Sequence, residues 1–196
     1  MRSEDIFLDA VEFSLSKPFI LASGMQSPIY CDSRLLMTDP KSRKVIVDAF
    51  IERIKSENLQ FDVICGVATG AIAWAVLIAE RIGKPFIYAR TAKKEHGKGN
   101  TIEGRLQKGY RVLVIEDVVT TAKSSKQAIE NIREAGGVVS DCVSIFSYGI
   151  ANFQACRLIA LIGLEGLLET ALAHGKIVEE EKEKITQWAD SMKKDT

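Results

Sequence analysis

The sequence has no excess of charge of either sign and no closely spaced cysteine pair. Its 196 residues carry 26 Lys and Arg against 26 Asp and Glu, so the overall charge gives no drive toward nucleic acid or an anionic membrane. The four cysteines lie far apart without a C-x-x-C motif, which argues against structural zinc and a thioredoxin-like site. We therefore expect reduced thiols and a cytoplasmic location.

Long hydrophobic runs are also missing. The N-terminal segment lacks the apolar core of a signal peptide because charged residues return at Asp9 and Glu12, so secretion is not expected. One uncharged stretch, residues 63–79, approaches the lower length limit of a membrane span, but two glycines and a threonine interrupt it early. A buried strand, a turn and a core helix explain this stretch better than a membrane segment does.

What the sequence does contain is an alternation of apolar strands and amphipathic helices. With 46% hydrophobic and 27% charged residues, the chain can bury a core, and we expect a single domain over residues 1–196. Strands are predicted at 61–65, 86–89, 111–115, 138–146 and 158–162. Helices are predicted from Asp39-Pro40 onward, over 71–82, around 128–135, over 164–173 and around 185–192. This alternation predicts an α/β fold with a parallel sheet.

An acidic pair and a run of hydroxyl residues follow the strand predicted at 111–115. Carboxylates such as Glu116 and Asp117 are costly at a strand end unless they accept hydrogen bonds, and the hydroxyls of a ribose are suitable donors. Residues 118–125 then supply hydroxyls and backbone N–H groups at a helix N-terminus, where the helix dipole favours a phosphate. The segment suits a phosphoribosyl group, with an ordinary solvated helix cap as the alternative. A nucleotide P-loop is excluded because its glycines would fall at Asp117 and Ala122.

One connection, about residues 91–109, is longer than compact domains normally use. From Arg90 to Arg111 the sequence has seven Lys or Arg against two Glu, which predicts an anion-binding loop. The glycines at 97, 99 and 104 predict a mobile lid that closes over a charged ligand and excludes water. The alternative is a disordered charged loop without a catalytic role.

The segment from Glu116 to Ser125 resembles the phosphoribosyl pyrophosphate (PRPP) signature of the type I phosphoribosyltransferases. Three further segments resemble the orotate phosphoribosyltransferases within that family. Residues 19–32 resemble the S-G-x-x-S-P-x-Y segment that walls their pyrimidine site, and residues 66–72 resemble the loop beside their pyrophosphate. Residues 90–97 resemble their mobile catalytic loop. The resemblance is collinear over roughly the first 150 residues.

This resemblance implies a central parallel sheet flanked by helices, an N-terminal hood over about 1–40 and a mobile catalytic loop over about 91–109. The implied activity is transfer of the 5-phosphoribosyl group from PRPP to orotate, which gives orotidine 5'-monophosphate and pyrophosphate in UMP biosynthesis. The implied cofactor is Mg²⁺, held mainly by PRPP and water rather than by side chains. A homodimer with shared active sites is also implied.

The same resemblance assigns the site residues. The predicted catalytic residues, cations for the departing pyrophosphate and acids for the ribose, are Arg90, Lys94, His96, Glu116 and Asp117. The residues predicted to bind PRPP are Arg90, Lys94, His96, Glu116, Asp117, Val118, Val119, Thr120, Thr121, Ala122, Lys123 and Ser124. The residues predicted to bind orotate are Ser23, Gly24, Arg34 and Thr120. Arg34 could pair with the orotate carboxylate through two hydrogen bonds, with an ordinary surface arginine as the alternative.

Two residues depart from the family pattern. Relatives usually carry glycine where this chain has Ala122, and often where it has Lys123, so we expect a phosphate turn without a positive φ and with weaker phosphate binding. The charge of Lys123 could compensate. Two alternative functions therefore stay open: a type I phosphoribosyltransferase for a purine or uracil, and a non-catalytic regulator that senses PRPP on the same fold.

Overall fold

The computed structural model describes residues 2–91 and 101–193. In these ranges the helices are α1 (Ser3–Phe7), α2 (Pro40–Ser56), α3 (Ile72–Ile82), α4 (Lys123–Glu134), α5 (Leu164–Ala173) and α6 (Glu179–Lys193). The strands are β1 (Val11–Phe13), β2 (Phe19–Ile20), β3 (Gln26–Ser27), β4 (Ile29–Cys31), β5 (Val63–Val67), β6 (Phe86–Ala89), β7 (Ile102–Glu103), β8 (Arg111–Val119), β9 (Val138–Ser147) and β10 (Arg157–Gly163). No helix in the described ranges is long and apolar enough to cross a membrane.

The main sheet has the strand order β10-β9-β8-β5-β6-β7. Neighbouring strands are parallel except for β6 and β7, which are antiparallel. Strands of a parallel sheet are covered on both faces and therefore need continuous apolar runs, and β5 is buried at every position. The predicted α/β fold with a central parallel sheet and flanking helices is confirmed.

Local signals fix several helix ends where the sequence predicts them. The side chain of Asp39 accepts hydrogen bonds from the amides of Lys41 and Ser42, and Pro40 occupies the first turn of α2. At the other end of the next helix, Gly83 adopts a φ of +65° and stops α3. These ends need no tertiary contact to be specified.

Two apolar clusters lie on opposite faces of the sheet. Ile64 of β5 belongs to the larger cluster, beneath α1, α2, α3, α5 and α6, whereas its neighbours Val63 and Cys65 belong to the smaller one, beneath α4. Alternation of this kind is what the pleat of a strand requires. The helices therefore hold the sheet from both sides and leave its carboxyl edge accessible.

Several boundaries differ from the sequence prediction, among them β5, which runs over Val63–Val67 rather than 61–65, and two of the differences bear on the site. Strand β8 continues four residues past the predicted 111–115, because Glu116, Val118 and Val119 pair with β9, so the acidic pair lies within the strand rather than after it. The connection predicted over about 91–109 contains β7, which pairs with β6, so its carboxyl-terminal part is ordered against the sheet edge. Residues 92–100 lie outside the described residues.

The N-terminal segment, residues 2–37, forms short elements that pack at the carboxyl edge of the sheet. Strand β1 pairs with β4 and β2 pairs with β3, both antiparallel. The connection between β2 and β3, residues 21–25, is called the hairpin turn below. Gly24 adopts a φ of +83° in it, a region that favours glycine, and the Gly24 amide donates to the Leu21 carbonyl at 2.8 Å.

Candidate active site

A cavity of about 310 Å³ opens at the carboxyl ends of β5 and β8. The chain leaves β5 for β6 on one side and later enters β8 on the other side of β5, so the strand order reverses between β5 and β8. Ligands of open α/β sheets bind at such a reversal, where the connections diverge and leave a crevice. The cavity is lined by residues 21–23, 67–70, 116–118 and 120–125.

Glu116 forms the floor of this cavity and is only 4% exposed. Its Oε1 accepts a hydrogen bond from Ser125 Oγ at 2.7 Å, and its Oε2 accepts one from the amide of Asp117 at 3.3 Å. Burial raises the pKa of Glu116 above the usual carboxyl range, and the neighbouring Asp117 carboxylate raises it further. Glu116 therefore lies deeper than its predicted contact with a ribose suggests.

Asp117 is the point where three segments of the chain meet. Its Oδ2 accepts a hydrogen bond from Ser33 Oγ at 3.3 Å, which ties the strand to the N-terminal segment. The carboxylate also lies directly against Gly70, where an added Cβ would come within 2.1 Å of Oδ2. Only glycine at position 70 permits this approach, so the loop after β5 and the end of β8 are shaped to each other.

The turn that leads from β8 into α4 has an unusual backbone. Ala122 adopts a φ of +59°, so the prediction of a turn without a positive φ was wrong. The left-handed conformation costs a non-glycine residue about 1–2 kcal/mol, and burial of the Ala122 methyl, at 5% exposure, offsets part of this cost. No side chain caps α4, so the unpaired amides of its first turn lie at the cavity wall beside the charge of Lys123.

Most of the predicted site residues come together at this cavity. The predicted residues that line it are Ser23, Glu116, Asp117, Val118, Thr120, Thr121, Ala122, Lys123 and Ser124. Val119 is 1% exposed and packs beneath the turn rather than lining the cavity. Gly24 shapes the hairpin turn but does not line the cavity either.

Two of the predicted cations, Arg34 and Arg90, do not line the cavity. Arg34 is exposed and holds Asp32 through two hydrogen bonds of 2.6 and 2.7 Å. Arg90 follows β6; its amide donates to the Thr101 carbonyl at 2.8 Å, and its own carbonyl accepts from Asn131 Nδ2 at 2.8 Å. Lys94 and His96 lie outside the described residues.

Besides Leu21, Ala22 and residues 67–69 of the lining, three residues that shape the site were not assigned as site residues from sequence, although Gly70 and Ser125 lie in segments that carry the family resemblance. Ser125 lies four and seven residues before Ile129 and Ile132, so helical periodicity could have placed it on the buried face of α4. Gly70 could have been suspected from the loop that follows β5. No sequence signal identifies Ser33, because its contact with Asp117 joins residues 84 positions apart.

The described residues hold no group of three or more His, Cys, Asp or Glu side chains close enough to bind a metal ion by themselves. The oxygen donors at the cavity are the carboxylates of Glu116 and Asp117 together with the hydroxyls of the turn. Such hard donors suit Mg²⁺, an ion that usually keeps several water ligands and completes its shell with substrate phosphates.

Comparison with known proteins identifies the family. Residues 37–148 match the family described as the phosphoribosyl transferase domain. The orotate phosphoribosyltransferase of Coxiella burnetii is 42% identical over 187 residues, which cover 92% of this chain and 90% of that protein. That of Oceanobacillus iheyensis is 38% identical over 198 residues, with 98% of each chain covered. The chain belongs to the orotate phosphoribosyltransferase family.

Solved structures place this orotate phosphoribosyltransferase family member in the same fold. Orotate phosphoribosyltransferase from Aeropyrum pernix has a TM-score of 0.73 and 30% identity, with 85% of this chain and 97% of that chain covered. Leishmania donovani UMP synthase has a TM-score of 0.81 and 27% identity over 96% of this chain. This chain spans 42% of that longer structure. The resemblance drawn from sequence motifs is thereby confirmed.

Proposed function

We propose that the protein is an enzyme that transfers the 5-phosphoribosyl group of PRPP to orotate, giving orotidine 5'-monophosphate and pyrophosphate for UMP biosynthesis. The observation that carries this proposal is the cavity in which the Asp117 carboxylate faces the amide-lined turn at the start of α4. Relatives up to 42% identical that carry this activity in their name support the choice of orotate.

The reaction needs a sugar phosphate fixed at two points. Asp117 accepts hydrogen bonds from the ribose hydroxyls, and Glu116 holds the floor of the site. The amides and hydroxyls of residues 120–125 bind the 5-phosphate, with Val118 and Val119 supporting this segment from the strand. The negative charge of Asp117 also stabilises the positive charge that develops on the sugar as pyrophosphate leaves. Binding at both points holds the anomeric carbon in line for attack by a ring nitrogen.

The departing pyrophosphate requires cations. We assign this role to Arg90, Lys94 and His96, as the family resemblance implies. Support comes from the backbone next to Arg90: the Ala68 amide donates to the Ala89 carbonyl at 2.8 Å, so Arg90 follows directly beside the loop 67–70 that lines the cavity.

Orotate is assigned to the side of the cavity that faces the hairpin turn. Thr120 and Ser23 both line it, and Gly24 shapes the turn behind Ser23. Arg34 is the candidate partner of the orotate carboxylate, and it would have to share its guanidinium with Asp32. Mg²⁺, when bound, neutralises the diphosphate, and it would be held mainly by PRPP and water rather than by side chains.

The organisation of the chain forms part of the proposal. We assign one domain to residues 1–196, with a hood over about 1–40 and a mobile catalytic loop beginning near residue 91. The loop is expected to reach a neighbouring active site in a homodimer. Sedimentation analysis of the purified chain would detect the dimer. Four unpaired cysteines support a reducing, cytoplasmic location.

A spectrophotometric assay tests the activity. The purified protein with PRPP and Mg²⁺ is expected to consume the ultraviolet absorbance of orotate, whereas purines and uracil give no turnover. Asp117→Asn is the matched variant, expected to lower turnover by about 10²–10³-fold as for loss of one preorganised group. Turnover with another base alone would identify a different phosphoribosyltransferase. PRPP binding without turnover would identify a regulator.

A further inference from the structure

The hairpin turn reaches the cavity from a segment that lies outside the matched family region of residues 37–148. Leu21, Ala22 and Ser23 line the cavity. The turn closes on itself through the Leu21 amide, which donates to the Met25 carbonyl at 2.9 Å, and through Gly24. Its shape is therefore local, but its position against the cavity depends on whatever holds β2 and β3.

One of these anchors comes from the far end of the chain. The indole Nε1 of Trp188, on α6, donates to the carbonyl of Gln26 at 3.1 Å. Gln26 pairs with Ile20 in the hairpin, directly behind the turn. The helix itself is fixed because Ile185 and Ala189, on either side of Trp188, are buried in the larger cluster.

A second anchor connects the same segment to the sheet. The hydroxyl of Tyr148, a residue just beyond β9, donates to the Ile29 carbonyl at 3.1 Å. The rings of Tyr148 and Trp188 meet edge to face, with centroids 6.0 Å apart and planes at 76°. Two adjoining aromatic residues thus hold carbonyls on both sides of Ser27 and Pro28.

These contacts differ from ordinary core packing. Each is a directed hydrogen bond to a backbone carbonyl, so each specifies where the hairpin lies and not merely that it is covered. Strand β9, which leads into Tyr148, pairs with β8, which carries Glu116 and Asp117. The aromatic pair therefore connects the hairpin to the pair of strands that carries the acidic end of β8.

We propose that Trp188 is a positioning residue for the base subsite, acting through the hairpin turn. The proposal rests on the proposed function, which assigns this side of the cavity to orotate. Since the hairpin turn and the phosphate-binding turn are separate segments of the cavity lining, a displaced hairpin weakens binding of the base and leaves the PRPP contacts in place.

The experiment removes the indole N–H and keeps an aromatic ring. Trp188→Phe is expected to raise the KM for orotate about 2–10-fold, the change that corresponds to one neutral hydrogen bond, without changing the KM for PRPP. Tyr148→Phe is a second variant and is also expected to raise the KM for orotate. It does not leave the Ile29 carbonyl without a donor, because Ser27 Oγ also donates to this carbonyl at 2.7 Å. The matched control is Trp74→Phe, because Trp74 is fully buried and its Nε1 has no hydrogen-bond partner among the described residues. This control is expected to lower the Tm and leave both KM values unchanged.

Amide hydrogen exchange gives a readout that does not require turnover. The bonds of the Leu21 and Gly24 amides break when the β2–β3 hairpin opens, and the hairpin opens more often once the Gln26 carbonyl has lost its donor. These amides are therefore expected to exchange faster in Trp188→Phe than in the wild type, and at the wild-type rate in Trp74→Phe. Unchanged exchange at these amides, or an equal rise of both KM values, would overturn the proposal. Absence of orotate turnover in the wild type would instead be a failure of the proposed function, and exchange would still decide whether Trp188 holds the turn.

Discussion

The cavity wall formed by residues 116–125 is continuous in sequence, whereas the facing wall, residues 21–23, is held in place by residues far along the chain. In the first wall, Ser125 reaches back only nine residues to Glu116. In the second, the contact between Trp188 and the hairpin joins residues 162 positions apart. In the proposed function, the continuous wall binds the phosphoribosyl group, which all phosphoribosyl transfers share, and the assembled wall selects the base.

The largest effect is expected at Asp117, where the continuous wall contacts the loop after β5 and the N-terminal segment. Gly70→Ala adds a Cβ within 2.1 Å of Asp117 Oδ2 and displaces the carboxylate from Ser33. Displacement of a reacting group by about 1 Å can cost about 10²-fold, so kcat/KM for PRPP should fall by about that factor. The fold should survive, because the clash falls on the end of one side chain. Steady-state kinetics and thermal unfolding provide the measurements.

Gly166→Ala on α5 is the control for that substitution, since nothing lies within 4 Å of its added Cβ. It should keep wild-type kinetics. Wild-type kcat/KM in Gly70→Ala would mean that the position of Asp117 against Gly70 and Ser33 is unimportant, and that the two walls act independently.

A smaller effect is expected from Glu116, and it tests whether the carboxyl of this residue in the continuous wall is buried. Because its pKa is raised, the Glu116 carboxyl holds its proton more tightly in the folded protein than in the unfolded chain, where the pKa of glutamate is about 4.3. The free energy of unfolding contributed by Glu116 is therefore largest at low pH and is lost as the pH rises toward the raised value. Glu116→Gln removes this loss, so the stability of the variant relative to wild type should increase with pH.

Denaturant unfolding between about pH 5 and about pH 8 measures that difference. Glu183→Gln, at an exposed position of α6, serves as the control and should follow the wild-type pH dependence. Parallel curves for wild type and Glu116→Gln would show that the Glu116 carboxylate is solvated after all.

The smallest effect concerns the backbone of the phosphate turn. Ala122→Gly relieves the left-handed conformation at φ +59° but loses a buried methyl and loosens the unfolded chain. The net gain in unfolding free energy should be about 1 kcal/mol or less, measured by denaturant unfolding. Ala128→Gly, in the middle of α4, is the contrast and should destabilise by about 1 kcal/mol or more. Equal losses in both variants would contradict a strained turn.

The contrast between the walls also explains what the sequence could predict. The start of α2 at Asp39, the end of α3 at Gly83 and most residues of the continuous wall follow from neighbouring residues, so local patterns were sufficient. The extension of β8 through Glu116 was missed because it depends on pairing with β9, which no local pattern records.

The assembled wall was only partly accessible to the same reasoning. Ser23 and Gly24 were found through a motif, but Ser33 and Trp188 act through contacts that appear only when the chain is folded. Arg34 illustrates the limit in the other direction. Its place just after the segment of residues 19–32 and its guanidinium suggested a contact with the orotate carboxylate, whereas it pairs with Asp32, two residues away.

Helix α4 connects the two ends of the proposed substrate site, and its length fixes the distance between them. Its first turn presents amides to the cavity, and Asn131, about two turns later, holds the carbonyl of Arg90. Residues 123 to 131 span about 12 Å along a helix axis. With Arg90 in its proposed role, the helix fixes the distance between the site for the sugar phosphate and the site for the diphosphate. A compound whose two anionic groups are spaced differently would bind at one of these sites and not at the other.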